Sequence, residues 1–331
     1  MSAAKVQPEG YIQFLIATPT QYSCVEAARV APTGPAPPAH DAYNRLLTRL
    51  EPDAEALWQE ARPQISLADG VLVLDDSTLD KPYARKMALV GWHWSGKHHA
   101  VVKGINLLTL LWTDGDRHIP CDYSVYDKPT DGLSKNDLFR LMLRRAKERG
   151  LAPRCVCFDS WYSSLANLKE VRSCGWTWLT RLKSNRKVRV NFGPPQAIST
   201  IEVPQGGVLV HLPGYGSIRA FRVVATNGDT EHWATNDLVM DVLTRLKYGD
   251  FSWRIEQYHR GLKQHCGVER CQVRRAKGQR NHIGLSIRAF LRIEIHCFAL
   301  GISWFQAALD VIRPAVRAYL VKPSILLPQC A

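Results

Sequence analysis

The chain has 331 residues, 46% of them hydrophobic and 22% charged, enough for a large core spread over roughly two or three domains of about 150 residues. Its 43 Lys and Arg against 30 Asp and Glu leave a formal net charge of +13 at pH 7. That excess points to a polyanionic partner, nucleic acid ahead of an anionic membrane surface. Nine cysteines are scattered without a small-domain framework, and Cys266 and Cys271 with His265 have no second pair. This argues against both a disulfide scaffold and a zinc site, and for a reducing cytoplasm. The opening "MSAAKVQPEGYIQF" lacks the basic start and apolar core of a signal peptide. The apolar stretch "RAFLRIEIHCFALGISWF" carries Arg288, Arg292, Glu294 and His296, which breaks a membrane span and suits a buried helix. No membrane partner is expected.

In chain order, residues 8–63 read as short helices interrupted by the Pro-rich linker "APTGPAPPAH". A helical region over 1–66 is either a DNA-binding head with a helix-turn-helix or plain packing. The period then changes. "GVLVLDDS" (70–77) is a continuous apolar run ending in acids, the pattern of a buried central strand. "KMALVGWHW" (86–94) and "GINLLTLLWTDGDRHIPCDYSVY" (104–126) read as strands, the second with a hairpin turn at Asp114-Gly115. "SKNDLFRLMLRRAKERG" (134–150) is a helix capped by Ser134 and stopped by Gly150. "PRCVCFDS" (153–160) is a strand ending in Asp, followed by a helix over 163–175 and a strand over 176–182. Residues 185–236 read as all β, broken by Gly, Pro and Asn-Gly-Asp turns. From 237 the pattern is helical, and 284–320 is expected to be largely buried.

Two strands therefore end in acids, Asp75/Asp76 and Asp159, and a later helix supplies Glu256 within "SWRIEQYHRGLKQHCGVERCQVRR". A strand-end aspartate often does no more than cap a turn. Three acids on these elements, in this order, match an RNase H-like nuclease core in which they hold two divalent ions about 3.5–4 Å apart. Hard oxygen ligands suit that chemistry. The expected fold is an α/β RNase H-like catalytic core, divided as 67–184 and 237–331. An all-β insertion at 185–236 interrupts it, and helical N-terminal and C-terminal regions flank it.

The Glu256 segment resembles the DDE transposases of bacterial insertion sequences, in the insertion sequence four superfamily. Trp253, Ile255, Glu256, Tyr258, His259 and Lys263 match that family's Glu helix, and "GVERCQVR" resembles the turn that follows it. "DDSTLDKP" and "FDSWYSS" resemble its first and second Asp segments. The stretch from "LDDSTLDKP" to "LLWTDGD" is closest to the insertion sequence seven hundred and one branch. The resemblance runs from about residue 70 to 292. It favours Asp76 over Asp75 as the first metal ligand, beside Asp159 and Glu256. It departs at Gly249 and Ser252, where the family signature has Tyr and Arg. The resemblance therefore does not extend to that family's grip on the 5′-phosphate or to cleavage through a hairpin.

The resemblance implies a transposase that cuts element ends and joins them to target DNA with Mg2+, two ions, Mn2+ serving as substitute. Its partners would be double-stranded DNA, as element ends and as target, and a second copy as a homodimer in the synaptic complex. A nuclease or resolvase without strand transfer, and a non-catalytic DNA-binding relic, are the alternatives. Candidate DNA contacts are Lys263, Arg254, His259 and Arg260 on the Glu helix, Lys97 and Lys103 near the second strand, and Arg274 and Arg275 after the helix. Lys263 lies seven residues after Glu256, about 10 Å along a helix axis and on nearly the same face. Trp161 could stack on an unpaired base, and Trp178 fits core packing.

Overall fold

A computed structural model of the chain describes residues 4–95, 99–191, 193–224 and 228–324. Its first elements are helices α1 (Pro8–Ala17), α2 (Cys24–Arg29), α3 (His40–Arg49) and α4 (Glu55–Ala61). Strands β1 (Val71–Asp80), β2 (Gly91–Ser95), β3 (Ala100–Thr113) and β4 (Ile119–Val125) follow, then α5 (Lys128–Asp131) and α6 (Lys135–Glu148). Next come β5 (Cys155–Phe158), α7 (Leu165–Ser173), β6 (Trp178–Leu182), β7 (Lys187–Val188) and β8 (Gln196–Ala197). Strands β9 (Val208–Leu212), β10 (Gly216–Val224) and β11 (Thr230–Thr235) precede α8 (Val242–Ser252), α9 (Arg254–His265), α10 (Ala276–Leu300) and α11 (Trp304–Val321). The chain divides into two compact units. One comprises Met1–Asp53, Ala84–Ala88 and Arg260–Ala331; the other comprises Ala54–Tyr83 and Leu89–His259.

The second unit is built on one mixed sheet in the order β2-β3-β1-β5-β6-β11-β10-β9, with β4 also pairing with β3. Val71, Leu72, Val73 and Leu74 of β1 are all buried, so both faces of this strand are covered and no polar alternation is needed. β1 runs antiparallel to β3 and parallel to β5, and β5 runs parallel to β6. Parallel neighbours need a crossover, and α6 and α7 supply the helices between β4, β5 and β6. The α6 start is a capping box: the Asp137 N–H donates to Ser134 Oγ at 3.2 Å, and the Ser134 N–H donates back to Asp137 Oδ2 at 2.8 Å. Its apolar stripe of Leu138, Phe139, Met142, Leu143 and Ala146 is buried. The β3–β4 turn forms at Asp114-Gly115 as the dipeptide dictates. Asp114 Oδ1 accepts the N–H groups of Asp116 and Arg117, and Gly115 takes a φ of 107°.

The segment 86–94 is a strand only from Gly91 onward. The 185–236 segment is β-rich, but β11 pairs antiparallel with β6. Strands β9–β11 therefore extend the central sheet, and only β7–β8 form a separate ribbon.

The first unit is helical. The Tyr11 hydroxyl on α1 lies 3.0 Å from His282 Nδ1 on α10, and Asn281 donates to the carbonyls of Leu47 and Leu50. α2 ends at Arg29 and α3 begins at His40, across the Pro-rich run. That gap is far longer than the 3–4-residue turn of a helix-turn-helix, so α2 and α3 do not form one. α10 is largely buried, as its sequence predicts, whereas α11 has no buried residue. Its Phe305, Leu320 and Val321 are exposed, although its composition is that of a core helix. Among the described residues no single helix is long and apolar enough to cross a membrane.

Candidate active site

Asp75 and Asp76 stand where β1 leaves its fully buried half, opposite Thr109 and Leu108 of β3. Successive strand residues face opposite sides, so the two carboxylates meet different neighbours. Asp75 lines an open cavity of about 270 Å³ together with Asp159 and Glu256. Asp159 follows β5 directly and caps a short 3-10 turn, accepting the Trp161 N–H at 2.9 Å and the Tyr162 N–H at 3.4 Å. Glu256 is exposed in the first turn of α9, where a carboxylate complements the helix dipole. Arg181, Glu231, Trp233, Gly249, Ser252 and Trp253 complete the wall.

Asp76 does not line that cavity. Its Oδ2 accepts hydrogen bonds from Lys135 Nζ at 2.8 Å and Asn106 Nδ2 at 2.6 Å, and its Oδ1 accepts from the Tyr162 hydroxyl. Burial alone would raise this carboxyl, but the Lys135 ammonium and the three hydrogen bonds bring it below the usual carboxylate range. Burial, then the charges of Asp76, Asp159 and Glu256, push the Asp75 carboxyl well above the ordinary range. Burial and Asp76 likewise raise Asp159, opposed by the two backbone N–H groups and by Arg181. The resemblance favours Asp76 as the first metal ligand; Asp75 lines the cavity with Asp159 and Glu256, while Asp76 stands near enough to Asp159 to raise its carboxyl.

Buried carboxylates that repel one another are relieved by a cation, and an all-oxygen donor set suits a hard divalent ion. Among the described residues, no three acidic, His or Cys side chains stand close enough to ligate one ion. The residues therefore fit a divalent cation by chemistry and charge rather than as a finished coordination shell.

The other predicted contacts fall in several places. Lys97 lies outside the described residues. Lys103 is half-buried on β3, across from Trp92 of β2. Arg254 donates to Gln257 at 3.1 Å and lies 3.5 Å from Asp250. His259 is buried beside Tyr258, their ring centroids 5.3 Å apart, so it does not face solvent. In the helical unit, Arg260, Arg274 and Arg275 are exposed, and Lys263 Nζ lies 3.1 Å from Glu269. Trp178 is fully buried, while Trp161 is exposed, with Lys183 Nζ 5.6 Å from its ring centroid.

One further pair lines the cavity without a local sequence signal. Arg181, at the end of β6, donates to Glu231 at 2.7 Å, and Glu231 also accepts from Trp233 Nε1 at 2.9 Å. This pair sets a guanidinium in the cavity wall. Only the pairing of β6 with β11 brings it there, with Trp233 opposite Arg181, and no local motif announces it. Ser252 Oγ donates to the Gly249 carbonyl at 2.6 Å, so the two positions that depart from the family signature share one wall.

Among solved structures, the chain is similar to a piggyBac transposase in its synaptic complex with hairpin DNA. The identity is 12% and the TM-score 0.48, with 98% of this chain and 76% of that chain covered. No curated protein matches it. The profile of the DDE superfamily endonucleases matches residues 3–200, a span that contains both aspartate segments and stops short of Glu256. The chain belongs to the DDE superfamily endonucleases.

Proposed function

We propose that the chain is a transposase of a bacterial insertion sequence, with an RNase H-like core, acting on double-stranded DNA as a homodimer. The observation that carries this reading is the meeting of Asp75, Asp159 and Glu256 around one open cavity. They project from two parallel central strands and the head of one helix. The three carboxylates would hold Mg2+, with Mn2+ as substitute. Bound there, such ions would supply the positive charge that favours attack by an oxygen nucleophile and departure of a leaving oxygen at a phosphate.

The chain's own residues do the rest. Asp75 and Asp159 present negative charge from a rigid sheet. Asp76, tied to Lys135, Asn106 and Tyr162, fixes the middle of β1 against the turn that follows Asp159. Arg181 offers a positive group at the cavity wall to a phosphate. The resemblance to the insertion sequence seven hundred and one branch supports placement there. Gly249 and Ser252 bear on the pathway, because neither can grip a phosphate end as Tyr and Arg would.

The test is incubation of the full chain with a duplex carrying the element's terminal inverted repeat, a target plasmid and Mg2+. Cleavage at the repeat with joining to the plasmid is the expected result. Cleavage with no joined product would make the chain a nuclease or resolvase. Tight binding without cleavage would make it a DNA-binding relic.

A further inference from the structure

The hairpin of β2 and the start of β3 carries a feature that the proposed cleavage site does not use. Trp92 lies opposite Lys103 and Trp94 opposite Val101, so alternation puts all four on one face. Its three apolar side chains are exposed: Trp92 is 72% exposed, Trp94 65% and Val101 57%. The opposite face is seated, with the His93 ring edge-on to Tyr126 at 6.1 Å between centroids. The arm is also anchored. At Gly104, β3 passes so close to β1 that a Cβ would lie 2.5 Å from the Leu79 carbonyl oxygen.

Two neighbouring indoles left in water on a fixed strand pair mark a contact surface. Its charge says for what. Strands β2 and β3 hold no Asp or Glu, and their one Lys or Arg is Lys103, on this face. We propose that this face of the β2–β3 hairpin is a stacking platform for unpaired bases of a DNA strand, with Lys103 on the adjoining phosphate. Indole rings stack on any base, and a lysine beside them supplies the salt-dependent grip.

The proposal rests on the reading that DNA is cut at Asp75, Asp159 and Glu256. The spacing then follows from the strand. Asp75 to Asp80 spans about 17 Å at ~3.3 Å per residue, and Asp80 pairs with Gly104 at the base of the hairpin. At ~3.4 Å per nucleotide step, the platform engages the strand roughly five nucleotides from the cut.

Binding of the full chain, without metal, to a paired duplex and to the same duplex with a short central bubble tests this. The wild type is expected to prefer the bubble. Trp92→Ala/Trp94→Ala should lose roughly 30-fold or more for the bubble, with little change for the paired duplex and no change in salt slope. Trp92→Phe/Trp94→Phe should retain most of the affinity, which separates stacking from misfolding. Lys103→Ala should flatten the salt slope by about one. Unchanged bubble affinity in the alanine variant would overturn the platform and leave the DNA reading standing. Unchanged bubble affinity with lost self-association in sedimentation would also overturn it, and would assign the face to a second copy of the chain. A wild type that binds neither DNA would sink the function itself.

Discussion

Exchanging Asp75 and Asp76 for asparagine, one at a time, separates the acid that faces the cavity from the acid that braces it. Asp76 is ionised by its partners. Its usual range is that of a free carboxyl, and its folded value lies below that range. Its stabilisation is therefore full above the ordinary carboxyl range and fades as pH falls through the depressed value. Removing one partner of a buried ion pair costs about 3–5 kcal/mol. Asp76 and Lys135 keep 16% and 18% side-chain exposure, which places the loss near the low end, about 3 kcal/mol. In a unit of this size that lowers Tm by about 6–12 °C. Asp75 works the other way. Its folded carboxyl is raised, so its charge costs stability once pH climbs above the ordinary carboxyl range. Asp75→Asn should raise stability at neutral pH by about 0.5–2 kcal/mol, and the gain should vanish in acid. With Mg2+ at about 100 times Kd, the wild type should gain about 2.7 kcal/mol. Asp75→Asn should lose that response and all cleavage, whereas Asp76→Asn should keep the response and a measurable rate. Thermal melts with and without Mg2+, beside a cleavage assay, read all of this. If Asp76→Asn abolishes the Mg2+ response and Asp75→Asn retains it with cleavage, the assignment moves to Asp76.

Replacing Arg274, Arg275 and Lys277 together by alanine should weaken binding to specific and random duplex alike and flatten the slope of log affinity against log salt by about three; an unchanged slope makes that run a solvated face. Lys263→Ala should keep the melt within about 1 kcal/mol, since Lys263 and Glu269 are only partly buried. It should lower end cleavage, with Lys263→Arg partly restoring it; full activity in the alanine variant refutes the contact. Asp122, buried on β4 beside Arg145 and Arg149, has its carboxyl raised by burial from 3.8 to about 6. Wild-type stability, relative to Asp122→Asn, should therefore fall as pH rises from 3.8 to about 6. A difference that stays flat across that window refutes the raised value.

What the sequence announced was local, and what it withheld depends on pairing at a distance. The Val71–Leu74 run, the Ser134 cap with Asp137 and the Asp114-Gly115 turn each encode their structure within a few residues. β1, β5 and the Asp159 turn could be placed from them. The joining of β9–β11 to the central sheet could not. It rests on β11 meeting β6, residues about 50 positions apart such as Arg181 and Trp233, and alternation fixes a strand's faces without naming its neighbour. The same limit explains α11. Its pattern asks for an apolar partner, but composition cannot say whether this chain provides one, and no α11 residue is buried.

The two aspartates mark the limit inside the site. Alternation guarantees that one of the pair, and not both, looks toward a given helix. Which one depends on the side of the sheet that α8 covers, a property of chain connectivity rather than of "LDDS". The sequence nonetheless held a clue in the basic partner. Lys135 follows the Ser134 cap, so it is bound to project from the first turn of α6, and it meets Asp76. A carboxylate already holding a lysine, an asparagine and a tyrosine hydroxyl has little need of a metal. One ringed by Asp76, Asp159 and Glu256 has every electrostatic reason to take one. The lone Glu256 among Arg254, Arg260 and Lys263 follows the same logic. Its charge is tolerated where a cation is to be bound, and its neighbours are basic where a polyanion is to lie.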